Sequence, residues 1–555
     1  MNAIFHRMVR VGMIKKLIAC LLCLPLLLVA RKFYDDDPLE KEPPPSSADQ
    51  AVPRGLNDFF DAVMNTLGHP GERHQEGKGE AALIPAGGAN TLGEVPDSAW
   101  FTNRIGSQPM SVEEAVRGSR TGKAPSMDGP WTITGAKTEG VTPGFQFKDP
   151  AGRRYVLKFD PPDHPEMATA AEIVGTALFH NLGYNVPENY LVSFTPDQLV
   201  VGEETMITDE TGRRRPMSRE DVTRALKRVP RDAQGRYRGL ASLFVAGKIL
   251  QNFRYHGTRD DDPNDIVRHE HRRDLRGLFV FAAWVNHNDS RAINNLDALV
   301  EENGVKFIKH YLIDFGAILG SASILSNSAR DGNTYFLESK QTIAQILSLG
   351  LYVPEWARSD YIAHPALGKI EYPRFEPEKW RPNYPNPAFV NRLPDDTYWA
   401  AKKVMSFSNE QIQAIVKDAQ YSDPEAEKWI VTYLMHRRDI IGRTYFSKVL
   451  PLDHFVVRDG KLAFEDLEVR HGFVDKRDYQ VEWSKFDNSA ETRSSLNAAN
   501  GFAAQGFAVP PEVSNSGDGA YFAANIRSEE VAKTVTVYLR KKGGRVEIVG
   551  IDRTW

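Results

Sequence analysis

Short alternating runs of apolar and polar residues open the informative part of the chain and predict strands at 131–134, 145–148 and 153–159. The last two are joined by Asp149-Pro150-Ala151-Gly152, a turn by its own chemistry. Beyond Pro161 and Pro162 the period lengthens: Met167, Ala171, Val174 and Leu178 recur at four, three and four, which predicts a helix stopped at Gly183. Asn185-Val186-Pro187 leads into another β-prone stretch at 190–194, and the strongly charged stretch 202–236, with Arg213, Arg214 and Arg215 in a row, is expected as a surface insertion. Residues 239–253 are apolar at helical spacing, and 275–285 are almost wholly apolar, so both read as helix, the second buried and ending at His287. Helices are expected again at 398–407, behind a cap at Ser408 with Gln411 three residues on, and behind Asp423 with Pro424 in the first turn. From about 455 the pattern returns to β, and 534–540 with 545–551, joined by Lys541-Lys542-Gly543-Gly544, is the clearest hairpin.

The first thirty residues follow a different logic. His6, Arg7, Arg10, Lys15 and Lys16 precede a 14-residue apolar run at 17–30, the pattern of a signal peptide or N-terminal anchor, and short for a membrane span. Positive charge ahead of the run and Asp35, Asp36 and Asp37 behind it would carry the rest across a membrane. An extracytoplasmic location, periplasmic or secreted, is therefore expected, with membrane contact only through this segment if it is not cleaved. Leu17-Ile18-Ala19-Cys20 has the look of a lipoprotein cleavage box, although the apolar run continues ten residues past it. Low hydrophobicity predicts a disordered tether at 31–55, and scattered apolar clusters among glycines and serines predict an N-terminal extension at 56–128 that docks on the body. Composition narrows the choice further. With 69 Lys and Arg against 73 Asp and Glu, the net charge of −4 gives no reason to expect a nucleic-acid partner. The only cysteines, Cys20 and Cys23, lie in the apolar run, which excludes a thiolate metal site elsewhere.

Four pieces carry candidate chemistry. They are Lys158 near the end of the third strand, Glu172 on the following helix, the run His287-Asn288-Asp289-Ser290-Arg291-Ala292-Ile293-Asn294, and Asp314-Phe315-Gly316 after the apolar strand Tyr311-Leu312-Ile313. Phosphoryl transfer from ATP needs this set: a lysine to hold phosphate oxygens, a carboxylate to fix it, an aspartate to accept the proton of the attacking hydroxyl, and hard oxygen donors for magnesium. Asp289 suits the proton, Asn294 and Asp314 the metal. The loop between the first two strands, with Gly135, Lys137, Gly140 and Gly144, offers backbone amides to phosphate.

These motifs, in this order, resemble the protein-kinase-like superfamily, on its atypical bacterial and secretory branches. His287-Asn288-Asp289 resembles a His-Arg-Asp catalytic loop, Arg291 stands where such kinases usually have lysine, and Asp314-Phe315-Gly316 matches Asp-Phe-Gly. Glu172 through Gly183 with Asn185, Val186 and Pro187 is similar to the second N-lobe helix of HipA-type kinases. The resemblance covers about 130–450 and implies an α+β, two-lobed fold: a β-rich N-lobe at 129–200 and a helical C-lobe at 201–454, followed here by a β-rich domain at 455–555. It also implies an exported phosphotransferase that uses ATP and Mg2+ on a hydroxyl acceptor, protein or small molecule. An AMP-transferring enzyme on the same fold and a non-catalytic exported scaffold are the alternatives. The glycine loop departs from Gly-x-Gly-x-x-Gly, and Val353-Pro354-Glu355 is a faint echo of an Ala-Pro-Glu segment. Asp260, Asp261, Asp262, Asp265, His269, Glu270 and His271 read as a solvated face or an ion-pair network, His287 as a prop for the loop, and either Asn295 or Asp297 as a second support for the metal.

Overall fold

Turn chemistry and β-branched or aromatic runs set the first sheet. The computed structural model describes residues 31–74, 83–136, 144–208, 212–349, 351–496, 502–503 and 506–555. In it β1 (Trp131–Ala136), β2 (Gly144–Lys148) and β3 (Arg154–Lys158) form an antiparallel meander that continues through Tyr237–Leu243 to β4 (Asn189–Phe194), while β5 (Leu199–Val201) adds in parallel beyond β1. Trp131, Phe147, Tyr155 and Phe194 stack on one face and close a core with Met217, Val222 and Leu226. The last three come from the charged insertion, whose helix Arg219–Leu226 starts with a reciprocal cap between Ser218 and Asp221.

One expectation fails here. Residues 239–253 are not helical but form the strand Tyr237–Leu243 and the short strand Lys248–Ile249. An apolar run buried on both faces loses the alternation that marks a strand, and period alone cannot separate it from a helix.

The helical lobe is built on Arg273–Val285, every residue of which is buried, packed by Pro394–Met405 and Pro424–Phe446, with Asn409–Asp418 set against Pro424–Phe446. The helix Met167–Leu182 belongs to this core as much as to the first lobe: 15 of its 16 residues are buried, so it is apolar all round rather than striped. The hairpin Asn295–Glu302 with Val305–Leu312 completes the lobe. The fold is α+β, with a β-rich lobe, a helical lobe and a C-terminal β domain. That last domain packs the three strands Leu452–Arg458, Lys461–Asp466 and Gly506–Ala508 against a sheet led by Tyr479–Asp487, Tyr521–Ser528, Thr534–Lys542 and Arg545–Arg553 around Trp483, Phe464 and Ile526.

Residues 31–55, expected to be a disordered tether, are laid along the body instead. Phe33 is buried between Phe486 and Tyr538 over Gly550, where any β-carbon would strike its ring. Arg540 donates to the carbonyls of Tyr34 and Asp37, and Lys32 pairs with Asp552 at 2.7 Å. One aromatic in a polar run is enough to seat the chain when the receiving sheet supplies the rest of the cluster. A buried ion pair joins the three parts: Lys402 of the helical lobe contacts Glu94 of the N-terminal extension and lies 2.6 Å from Asp453 of the β domain. The same residues border a cleft of about 1810 Å3, which none of the candidate site residues lines.

Candidate functional site

Three elements converge on one ammonium group. Lys158 ends β3, where the register sets it opposite Gly144 on one side and Leu240 on the other, so the far end of the glycine loop lies beside it. Its Nζ donates to Glu172 Oε1 at 2.5 Å and to Asp314 Oδ1 at 2.9 Å. The other oxygen of Glu172 accepts from Asn189 Nδ2 at 3.1 Å and from the Phe315 amide at 3.2 Å, and Asn189 also donates to Thr176. Asp314 sits at φ 62°, ψ 62°, a left-handed conformation that aspartate tolerates better than most residues, and its carboxylate meets Lys158 while Phe315 enters the core. Burial works against the Lys158 ammonium, but the carboxylates of Asp314 and Glu172 outweigh it and hold it above its ordinary value. Burial pushes the Glu172 carboxyl up, and the Lys158 charge opposes it.

The second half of the site is a braced loop. Asn294 Nδ2 donates to both the carbonyl and Oδ2 of Asp289, each at 2.8 Å, and Arg291 Nε donates to Asp289 Oδ1 at 2.6 Å. Ser290 Oγ donates to the His287 carbonyl, and the Asn383 amide to that of Asn288, so the loop backbone is held from both sides. The Ile313 amide donates to the Asn294 carbonyl at 3.0 Å, which brings Asn294 and Asp314 together at the open end of one hairpin. Burial raises the Asp289 carboxyl, opposed by Arg291 and Asn294; a raised carboxylate is a better proton acceptor near neutral pH. A small pocket of about 10 Å3, lined by Lys158, Glu172, Leu240, Asp314, Gly316 and Ser323, lies beside the Lys158–Asp314 ion pair.

His287 is part of a stack, not of the pocket lining. Its ring lies 6.0 Å from Phe315, which lies 4.8 Å from Phe179, and burial lowers its pKa to about 4, so it is neutral at ordinary pH. Asn295 exchanges hydrogen bonds with the backbone of Phe253, and Asp297 is bonded to Arg259 and His310, so neither serves the hairpin end. Gly135 lies in β1 at a register shift, while Lys137 and Gly140 are outside the described residues. The acidic and histidine cluster pairs internally, His269 with Asp265 at 2.7 Å and Glu270 with Arg268 at 2.8 Å. Among the described residues no group of three or more His, Cys, Asp or Glu could hold a metal by itself.

Three participants were not legible in the sequence. Asn189, which fixes Glu172, carries only the weak signal of a polar residue at the start of a strand. Phe179 is one apolar helix position among many. Asp58, from the helix Asp58–Val63 of the N-terminal extension, accepts from Arg291 Nη1 at 2.9 and 2.7 Å through its two oxygens, and nothing local could have paired residues 233 apart.

No protein-family model matches the chain, and none of the curated proteins does. Among solved structures, a Golgi casein kinase with Mn/ADP bound is similar over 56% of this chain and 72% of its own, with 10% identity and a TM-score of 0.27. A second structure of a Golgi casein kinase is similar over 61% and 78%, with 8% identity and a TM-score of 0.25. A likeness at this level carries no argument about function.

Proposed function

We propose that the protein is an exported phosphotransferase that moves the γ-phosphoryl group of ATP to a hydroxyl acceptor. The observation that carries this reading is the buried Lys158 held at 2.5 and 2.9 Å between Glu172 and Asp314, with Asn294 and Asp289 gathered at the same hairpin end. In this reading Lys158 draws phosphate oxygens and Glu172 keeps it aligned. The acceptor O–H gives its proton to Asp289 as its oxygen bonds to the γ-phosphorus. The bond from that phosphorus to the bridging oxygen breaks, and ADP leaves with the electron pair. Arg291 offsets the charge on the transferring group. Two hard oxygen donors, the carboxylate of Asp314 and the carbonyl oxygen of Asn294, whose amide nitrogen is committed to Asp289, fit a magnesium ion that takes its other ligands from water and phosphate. Bound there, the ion supplies charge neutralisation across the phosphates. The basic and apolar N-terminus supports export.

A thermal-shift titration with ATP and magnesium, run beside Asp314→Ala, tests the reading. Mass action predicts a rise in melting temperature for the wild type that the variant lacks. No rise at millimolar nucleotide would sink the reading, and transfer of an α-label instead of a γ-label would replace it with AMP transfer.

A further inference from the structure

Large apolar side chains stand bare in two segments, one joined to Arg291 directly and the other through Tyr384. The first is Asp58–Val63 with its continuation Met64–Gly68, where Asp61, Ala62 and Asn65 face inward but Phe59, Phe60 and Leu67 are exposed. The second follows Phe336 and runs through the helix Ser339–Leu347 to Val353. Contacts join them around the loop: Asp58 holds Arg291, whose guanidinium lies 5.4 Å from the ring centre of Tyr384, and that ring lies 6.0 Å from Phe336. The first helix also rests on the turn Ala292–Asn294. Asp289, which accepts from Arg291, is thus linked through it to the start of each apolar segment.

The shape of the ridges selects the occupant. Leu349 is 92% and Leu351 87% exposed, so these side chains project from the surface instead of lining a groove. A projecting apolar ridge is buried in a partner's groove or in a medium that deforms around it, and the flanking residues favour the second. Tyr352 and Trp356 border the aliphatic run, the amphipathic aromatics of a membrane–water interface. The chain also carries, outside the described residues, the apolar run 17–30 behind five basic or histidine residues, the signal peptide or N-terminal anchor read above, and an uncleaved anchor would hold the molecule at a membrane. We propose that the two ridges insert into the boundary of a lipid bilayer and hold Asp289 at headgroup level. The acceptor hydroxyl is then one displayed on a lipid headgroup, a statement that rests on the phosphotransfer reading.

The experiment is hydrogen–deuterium exchange on the full chain with phosphatidylcholine vesicles and without them, with no nucleotide present. Residues 58–67 and 343–353 are expected to exchange at least about tenfold more slowly on the membrane, because insertion suppresses local opening. Phe59→Ser with Leu349→Ser and Leu351→Ser is expected to abolish that protection while the protein stays on the vesicles through 17–30. Unchanged exchange in both segments of the vesicle-bound protein, or no vesicle binding at all, would overturn the inference. So would protection that appears without lipid and grows with protein concentration, which would assign the ridges to a second copy. An ATP-dependent thermal shift beside unprotected ridges would remove this inference alone and leave phosphotransfer standing.

Discussion

Lys158 is the residue on which the site's chemistry and its stability both turn, and the two can be separated. In the proposed phosphotransfer, Lys158→Met removes the ammonium that would hold phosphate oxygens and is expected to lower kcat/KM by about 10²- to 10³-fold. It also leaves Glu172 buried without its cation, at about 3–5 kcal/mol, readable as a shift in denaturant midpoint. The double change Lys158→Met with Glu172→Met should recover much of that stability and none of the activity; recovery of both would contradict the assignment. His287 gives a second handle. Its pKa of about 4 lies below the free value, so the unfolded chain takes up a proton near pH 6.5 that the native ring refuses until about pH 4. Stability from this group is whole above pH 6.5 and falls as pH drops through that window, by about 3 kcal/mol at its foot. His287→Phe should flatten the slope between pH 6.5 and 4 in denaturant titrations, and an unchanged slope would place the effect elsewhere, for example at His180, whose pKa burial lowers to about 3. The meeting of Lys158 with Glu172 and Asp314, and of Asn294 with Asp289, was legible because the sequence carries, in order, the residue types that the proposed phosphoryl transfer asks for. Asn189 and Asp58 were not, because their partners are set by tertiary packing that no local pattern encodes.

Among the elements, Met167–Leu182 governs how rigidly the site is held. Gly175 lies against Phe315, and a β-carbon there would come within 2.6 Å of Phe315 Cβ and Ile318 Cδ1. Gly175→Ala gains about 1 kcal/mol of helix propensity but overpacks a buried contact at about 1–3 kcal/mol. A net loss of stability is expected, with Phe315 and hence Asp314 displaced; a higher melting temperature with full nucleotide binding would show that the contact can give. Ser408→Ala, by contrast, removes a reciprocal cap with Gln411 far from the site, and is expected to cost about 1 kcal/mol with nucleotide binding unchanged. Caps at Ser408 and Asp423 and the final Gly543-Gly544 hairpin were readable because their chemistry is local. The strand Tyr237–Leu243 was misread because burial on both faces erased its alternation, and the seating of 31–55 was missed because one phenylalanine leaves no period to read.

Across the whole molecule, Lys402 is the point where extension, helical lobe and β domain meet. Burial pushes the Asp453 carboxyl up, but Lys402 and Arg553 outweigh it and lower it to about 2. A depressed acid contributes stability above its free value near 3.8 and loses it as pH falls toward 2. Asp453→Ala is expected to reproduce at neutral pH what acid does to the wild type: loosening of 452–555, seen as faster proteolysis between the helical lobe and the β domain. Equal cleavage in variant and wild type would deny the link its role.

The seat of Phe33 has a further consequence for the order of events in the life of the chain. Lys32 and Asp552 are 520 residues apart, so the leading end is made long before the strands that receive it. Loop closure over that span carries a large entropy cost, and it cannot be met until Thr534–Lys542 and Arg545–Arg553 have been made. A nascent polypeptide whose residues 31–55 must idle until that hairpin emerges stays threadable, and it becomes a closed ring of contacts only after the hairpin has been delivered.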